Sequence, residues 1–170
     1  MELKYKERKL NIIFFRQHHK KVLCGNISMP FLAEENLDSI CKEILQLGNS
    51  IRFAGIANNL GSLVATAYRN LLTPMMNKQE TSHYAIQAVL RAATREDFES
   101  KIGRLVYSIG KYERLIRATI PIPTRLFGKE DDDESKFYYL LMSFDLNSNV
   151  MDVIENKITP FIEKNKEQKL

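Results

Sequence analysis

IRFAGIANNLGSLVATAYR, residues 51–69, is the stretch whose reading decides the fold. Two apolar runs flank Asn58-Asn59-Leu60-Gly61. Asn tolerates positive φ and Gly adopts it without steric cost, so the tetrad predicts a β-hairpin turn. The flanking strands are expected at Ile51–Ala57 and Ser62–Tyr68. In the first, both alternate sets are largely apolar: Ile51, Phe53, Gly55, Ala57 and Arg52, Ala54, Ile56. That pattern predicts an inner strand covered on both faces, with Arg52 the exception.

Upstream, Leu37, Ile40, Cys41, Ile44 and Leu45 follow the i, i+3, i+4, i+7, i+8 spacing of one buried helix face, predicting a helix over about Glu34–Leu47 that stops at Gly48-Asn49. Downstream, Leu71–Met76 is a connection interrupted by Pro74, and a second helix is expected over about Glu80–Lys101, stopping at Gly103. Its middle reads AIQAVLRAA (Ala85–Ala93), with only Gln87 and Arg91 polar, four residues apart on one narrow side. At ~100° per residue the apolar arc is about 200° wide, roughly twice what a half-buried helix needs. Ile86, Val89 and Leu90 form a large-aliphatic side; Ala85, Ala88 and Ala92 form a small-residue side.

Two further strands, Arg104–Ile109 and Arg114–Ile120, flank a turn at Gly110-Lys111-Tyr112-Glu113. Pro121 and Pro123, which cannot donate to a ladder, are expected to end the second of them. Residues 127–136, with Asp131-Asp132-Asp133-Glu134, read as a polar loop, a better account of these acids than a cation site because the glycine and spacing of an EF-hand are missing. Phe137–Asp145 (FYYLLMSFD) is apolar on both faces, the mark of a central strand between helices. Asn147 or Ser148 is expected to cap a last helix, about Asn149–Lys164, with Val150, Val153, Ile154, Ile158, Phe161 and Ile162 inward, and with a kink or early end at Pro160.

The order is α-β-β-α-β-β-β-α: an α/β (α+β) chain with a single, mainly antiparallel five-stranded sheet and helices on both faces. It resembles the roadblock/light-chain domain, a branch of the profilin-like folds, over about Glu34–Lys164. The resemblance rests on the element order, the Asn-Asn-Leu-Gly corner and the doubly apolar last strand. At finer scale, residues 51–69 followed by Leu71-Leu72-Thr73-Pro74 are similar to a family of small archaeal proteins without an assigned activity. The roadblock resemblance implies the sheet order 2-1-5-4-3. It also implies dimerisation through strand three and helix two, which puts Ala85, Ala88, Ala92, Leu105 and Tyr107 at an interface. On that reading the large-aliphatic side of helix two meets the sheet and the alanine side meets its mate. The competing reading is that alanine is simply the best helix former. Some roadblock proteins are platforms for small GTPases, so such a GTPase is a partner class by analogy.

The 170 residues suit a single domain with a real core, expected at 29–170 and preceded by a basic extension, residues 1–28. The sequence pI of about 9.0 belongs to that extension. Residues 1–28 carry seven lysines and arginines against two glutamates, and the rest carries 18 against 19 acids. The extension's apolar run, Leu10-Asn11-Ile12-Ile13-Phe14-Phe15, is too short to span a bilayer, which needs ~20 residues. An extra strand, a basic arm docking on an anionic surface, a poorly ordered tail and a start assigned too far upstream are the open readings. Two cysteines, Cys24 and Cys41, without a secretory segment point to a reducing, cytoplasmic setting, with Cys41 a buried inert thiol.

The chemistry is mostly elimination. The seven glycines form no phosphate-cradling loop, and no G-x-S-x-G elbow occurs. His18-His19 are adjacent rather than i, i+4, and neither cysteine belongs to a C-x-x-C, so no metal and no cofactor are expected. Arg52 and Arg69 bracket the hairpin. They are candidates for a small-anion site, with pairing to Glu96, Glu99 or Glu113 the simpler account. The expectation is a non-enzymatic, dimerising scaffold, adaptor or regulatory module. A sensory domain binding a small anion through Arg52 and Arg69 is the alternative. Nucleic-acid or membrane-surface contact through residues 1–28 is the third reading.

Overall fold

A computed structural model describes residues 31–123 and 137–167. The basic extension and the acidic loop at 131–134 lie outside the described residues. Helix α1 (Phe31–Gln46) leads into β1 (Ile51–Ala57) and β2 (Leu63–Tyr68). There follow α2 (Lys78–Glu96), the short α3 (Glu99–Ile102), β3 (Ser108–Lys111), β4 (Ile116–Pro123) and β5 (Phe137–Phe144). The chain closes with α4 (Val150–Val153), a π-helical turn (Ile154–Ile158) and α5 (Thr159–Glu167).

The five strands form one antiparallel sheet in the order β2-β1-β5-β4-β3. The doubly apolar strands are therefore the inner ones. Every residue of β5 from Tyr138 to Phe144 is buried, and in β1 only Arg52 is not. The two faces carry separate cores. On one, Leu37, Cys41 and Ile44 of α1 meet Ala54, Ile56, Leu140 and Met142, with Val153, Ile154 and Ile158 beside them. On the other, Ala85, Ala88, Val89 and Ala92 of α2 meet Phe53, Ala57, Tyr139 and Leu141. Burial pushes the Cys41 thiol up to about 12, with the Asp38 charge a smaller cause, so it is a thiol and not a thiolate near neutral pH.

The Asn58–Gly61 corner forms as its residues dictate. Asn58 Oδ1 accepts from the Leu60 and Ser62 amides at 3.0 and 2.9 Å, and Gly61 sits at φ +80. A Cβ at Gly61 would stand 2.5 Å from the Ile86 Cα, so the turn needs glycine both for its φ and for the close approach of α2.

Several expected boundaries move. The second helix starts at Lys78 rather than Glu80, because Asn77 and Glu80 form a reciprocal capping box. It breaks after Glu96, where the Phe98 amide tightens onto the Arg95 carbonyl, and Gly103 at φ +85 ends α3 instead. Strand three is Ser108–Lys111, not Arg104–Ile109. Pairing runs on through Gly110↔Arg117 and Lys111↔Ile116, and the turn closes at Tyr112 N–H to Leu115 O, 2.9 Å. Gly110 is an ordinary strand residue there, not at positive φ. Strand four runs through Pro121 to Pro123, because β3 pairs with it only as far as Thr119. Beyond that point one edge of β4 pairs with no described strand, and a missing N–H on that side costs no described ladder bond.

The last helix does not stop at Pro160. The π-helical turn just before it, with Thr159 N–H reaching the Ile154 carbonyl, makes room for the ring, and the helix continues as α5. Its cap is Asn149, whose Oδ1 accepts from the Asp152 amide.

Candidate functional site

Helix α2 is wrapped in apolar residues, but of the large-aliphatic side expected to meet the sheet only Val89 does so, and the alanine side is buried with it. Ala85, Ala88 and Ala92 are at most 3% exposed, while Ile86 and Leu90 are 42% and 60% exposed. The expectation that the alanines face outward is corrected by the sheet beneath them. Phe53, Tyr139 and Leu141 fill the space on that face, so the helix can approach only with small residues. The bulkier Ile86 and Leu90 are left on the far side.

The outward apolar character continues past α2. Phe98 and Ile102 of the α3 region and Val106 and Ile109 at β3 are all exposed, and no residue of α3 is buried. Of the twelve large exposed apolar residues described, seven fall within 86–112, so this strip holds most of the exposed large apolar side chains. Leu105 and Tyr107 lie in the approach to β3, outside the strand. Leu105 is half-buried against the α2-side core, and the Tyr107 hydroxyl donates to Glu155 Oε1 at 2.6 Å. Val106, which alternates with them, and Ile109, further along, are exposed.

A contact absent from the sequence reading pins α2 to β4. The Arg117 guanidinium lies 3.6 Å over the Tyr84 ring and its Nη2 donates to Met76 Sδ at 2.7 Å. Burial pushes the Tyr84 hydroxyl pKa up, with the Arg117 charge opposing it. The face packed on the sheet is thus anchored, while the face carrying Ile86 and Leu90 is open.

The second candidate site is at the other end of the hairpin. Pairing of β1 with β5 slips between Ile51 and Phe53, so Arg52 is the extra residue of a β-bulge. The bulge re-aims a side chain that the strand could not bury. Arg52 Nη1 donates to Asp145 Oδ1 at 2.8 Å. Arg69 donates to both Asp145 oxygens, at 2.6 and 3.3 Å, and to the Asn49 carbonyl at 2.5 Å. The partner of both arginines is therefore Asp145, not Glu96, Glu99 or Glu113; Glu99 lies 3.9 Å from Arg104. The hydrogen bond from Arg69 is the main cause that holds the Asp145 carboxyl below the usual carboxylate range; desolvation opposes it, and Arg52 adds a lesser lowering. The structure does bring Arg52 and Arg69 together, and the anion between them is the protein's own.

Three solved structures are similar to this chain in fold. The gliding protein MglB of Thermus thermophilus is 15% identical, with a TM-score of 0.59, over 87% of this chain and 93% of its own. An MglB in a tetrameric arrangement is 16% identical at 0.58, over 88% and 96%. A roadblock/LC7 domain of Streptomyces avermitilis is 7% identical at 0.54, over 78% and 96%. The chain has the roadblock fold. No protein-family model and no curated protein matches it.

In this fold α2 packs on β4 and β5 and leaves Ile86 and Leu90 exposed. Among the described residues no group of three His, Cys, Asp or Glu converges as a metal site. No described helix is long and apolar enough to cross a membrane.

Proposed function

We propose that this chain is a non-enzymatic regulatory or adaptor module that works as a homodimer, its copies meeting through the outward side of α2 and the β3 edge. The observation that carries the reading is the exposed apolar strip from Ile86 to Tyr112, next to an edge strand whose outer side pairs with no described strand. Exposed apolar surface of this extent beside a free edge marks an interaction site. The tetrameric arrangement of an MglB is support from a protein of the same fold. A paired α2–β3 surface would leave the rest of each protomer for a protein partner. Small GTPases are the partner class that the roadblock resemblance implies. A cytoplasmic setting fits Cys41 as a reduced, buried thiol.

Sedimentation of the full chain across micromolar concentrations tests the dimer. Leu90→Glu with Val106→Glu should weaken association by about 100-fold or more, since two charges would be buried unpaired at the contact. A monomer at every concentration, or a dimer indifferent to both substitutions, excludes this surface. The small-anion reading of Arg52 and Arg69 requires a ligand to displace Asp145. A screen of phosphates and carboxylates that shifts the melting of the Asp145→Asn variant more than the unsubstituted chain would revive it.

A further inference from the structure

A small cavity of about 40 Å³ lies on the α2-side face of the sheet, beside the first turns of that helix. Arg117 of β4, Ser143 of β5 and Arg52 of β1 line it, together with Thr81 of α2 and with Met75 and Met76 of the connection that leads into α2. The lining holds two arginines and no Asp or Glu. One water needs roughly 10–15 Å³ of such space, so the cavity has room for a group of a few heavy atoms.

The charge around it is unbalanced. Arg52 gives Nη1 to Asp145, which Arg69 also binds, so one carboxylate serves two guanidiniums. Arg117 forms no ion pair among the described residues. It stacks on Tyr84 and gives Nη2 to Met76 Sδ. A guanidinium carries five N–H donors, and a thioether is a weak acceptor. A half-buried cation with only a ring and a sulfur for partners lacks the acceptors that normally offset its desolvation. Ser143, 7% exposed, adds a hydroxyl that can donate or accept.

We propose that this cavity binds a small carboxylate, gripped by the fork of Arg117, with Arg52 and the Ser143 hydroxyl beside its oxygens. A planar carboxylate matches a guanidinium through two parallel N–H···O bonds, which are stronger than a bond to sulfur. The Met76 thioether occupies one of those donors in the free protein, and an unbranched, adaptable side chain can give it up. A phosphate has four oxygens to satisfy. Some of them would face the side chains of Leu72, Pro74 and Met75, which donate nothing. Binding here leaves Asp145 paired with Arg69, so it differs from a ligand that would have to displace Asp145.

Titrating the isotope-labelled full chain with sodium acetate, against sodium chloride at equal ionic strength, tests this. The Arg117 Nε–H resonance should move and saturate, with half-saturation at about 10 mM or below, the range open to so small a ligand. Arg117→Lys keeps the charge but loses the fork, and should weaken binding by about tenfold or more. Arg69→Lys should leave it within about threefold. Met76→Leu conserves volume and removes the competing sulfur, so acetate should bind as well or better; this variant carries the test if Arg117→Lys does not fold. Phosphate should compete less well than acetate. No saturable shift, or one that chloride reproduces, overturns the proposal. So does binding that Arg117→Lys leaves unchanged, or that Met76→Leu weakens. A larger loss in Arg69→Lys than in Arg117→Lys moves the anion to the Asp145 pair, and tighter binding of phosphate removes the carboxylate; either result overturns it equally.

Discussion

The two outer strands of the sheet solve the edge problem in opposite ways. β2 is six residues long, uncharged, and recessed between α1 and the segment leading into α2. β3 is four residues long, ends in Lys111, and stands beside the exposed side chains of Val106, Ile109 and the α2–α3 region. A projecting edge flanked by apolar side chains fits a broad surface. The difference lies in where bulk sits around each edge: β2 has elements rising on both sides, whereas β3 has α2's large residues turned outward. An edge strand must therefore be judged with its walls, not by its own residues alone.

The β2 side is built into the fold, and substitutions there should cost stability. Gly61→Val should have the largest effect, about 3 kcal/mol or more in denaturant titration, since it adds positive-φ strain to a backbone clash with Ile86. A loss below about 1 kcal/mol would mean that α2 can move away from the hairpin. Ala88→Leu should cost about 2 kcal/mol by overpacking the α2-side core, while the outward Ile86→Ala should stay within about 0.5 kcal/mol for the monomer. Equal costs would erase the distinction between the helix's two sides.

Asp145→Asn should cost about 1 kcal/mol, because the carboxylate is partly exposed and solvent screens it, yet Arg52 is left largely buried with a weakened partner. The depressed Asp145 pKa gives a sign. Its contribution is fully present above the ordinary carboxylate range and is lost as pH falls below that range through the depressed value, so the Asn variant should lose less stability on acidification than the unsubstituted chain. On the β3 side, Ile109→Lys should leave the monomer's unfolding midpoint within about 0.5 kcal/mol while weakening self-association. If it unfolds the chain instead, β3 is as structural as β2 and the contrast fails.

Much of the architecture was legible in local pattern. β1 and β5 have apolar residues on both faces, and that alone placed them inside. The Asn58–Gly61 corner was readable because a single positive-φ position restricts the residue type. α1 showed its face through Leu37, Cys41 and Ile44. The misplaced boundaries share one cause. Gly110 and Pro121 are turn and stop signals in isolation, but whether they act as such depends on what lies across the ladder. Gly110 faces Arg117, and the ladder past Thr119 has no β3 to satisfy, so neither residue ends its strand.

The candidate sites were half legible. Arg52 and Arg69 stood out as charges around an apolar hairpin, but Asp145 is 93 residues from Arg52 and follows a strand expected to include it. No spacing rule links them; the β1–β5 pairing does. Helix α2 could be read as wide in its apolar arc, yet of the side expected to meet the sheet only Val89 does so.

Periodicity and turn chemistry are properties of neighbouring residues, so the sequence by itself determined the helices, the inner strands and the hairpin corner. The choice of which α2 side is buried belongs to the tertiary structure, because it depends on the volume that Phe53, Tyr139 and Leu141 leave free. The union of Arg52, Arg69 and Asp145, and the contrast between a recessed and a projecting edge, were likewise decided only where distant segments pack against one another.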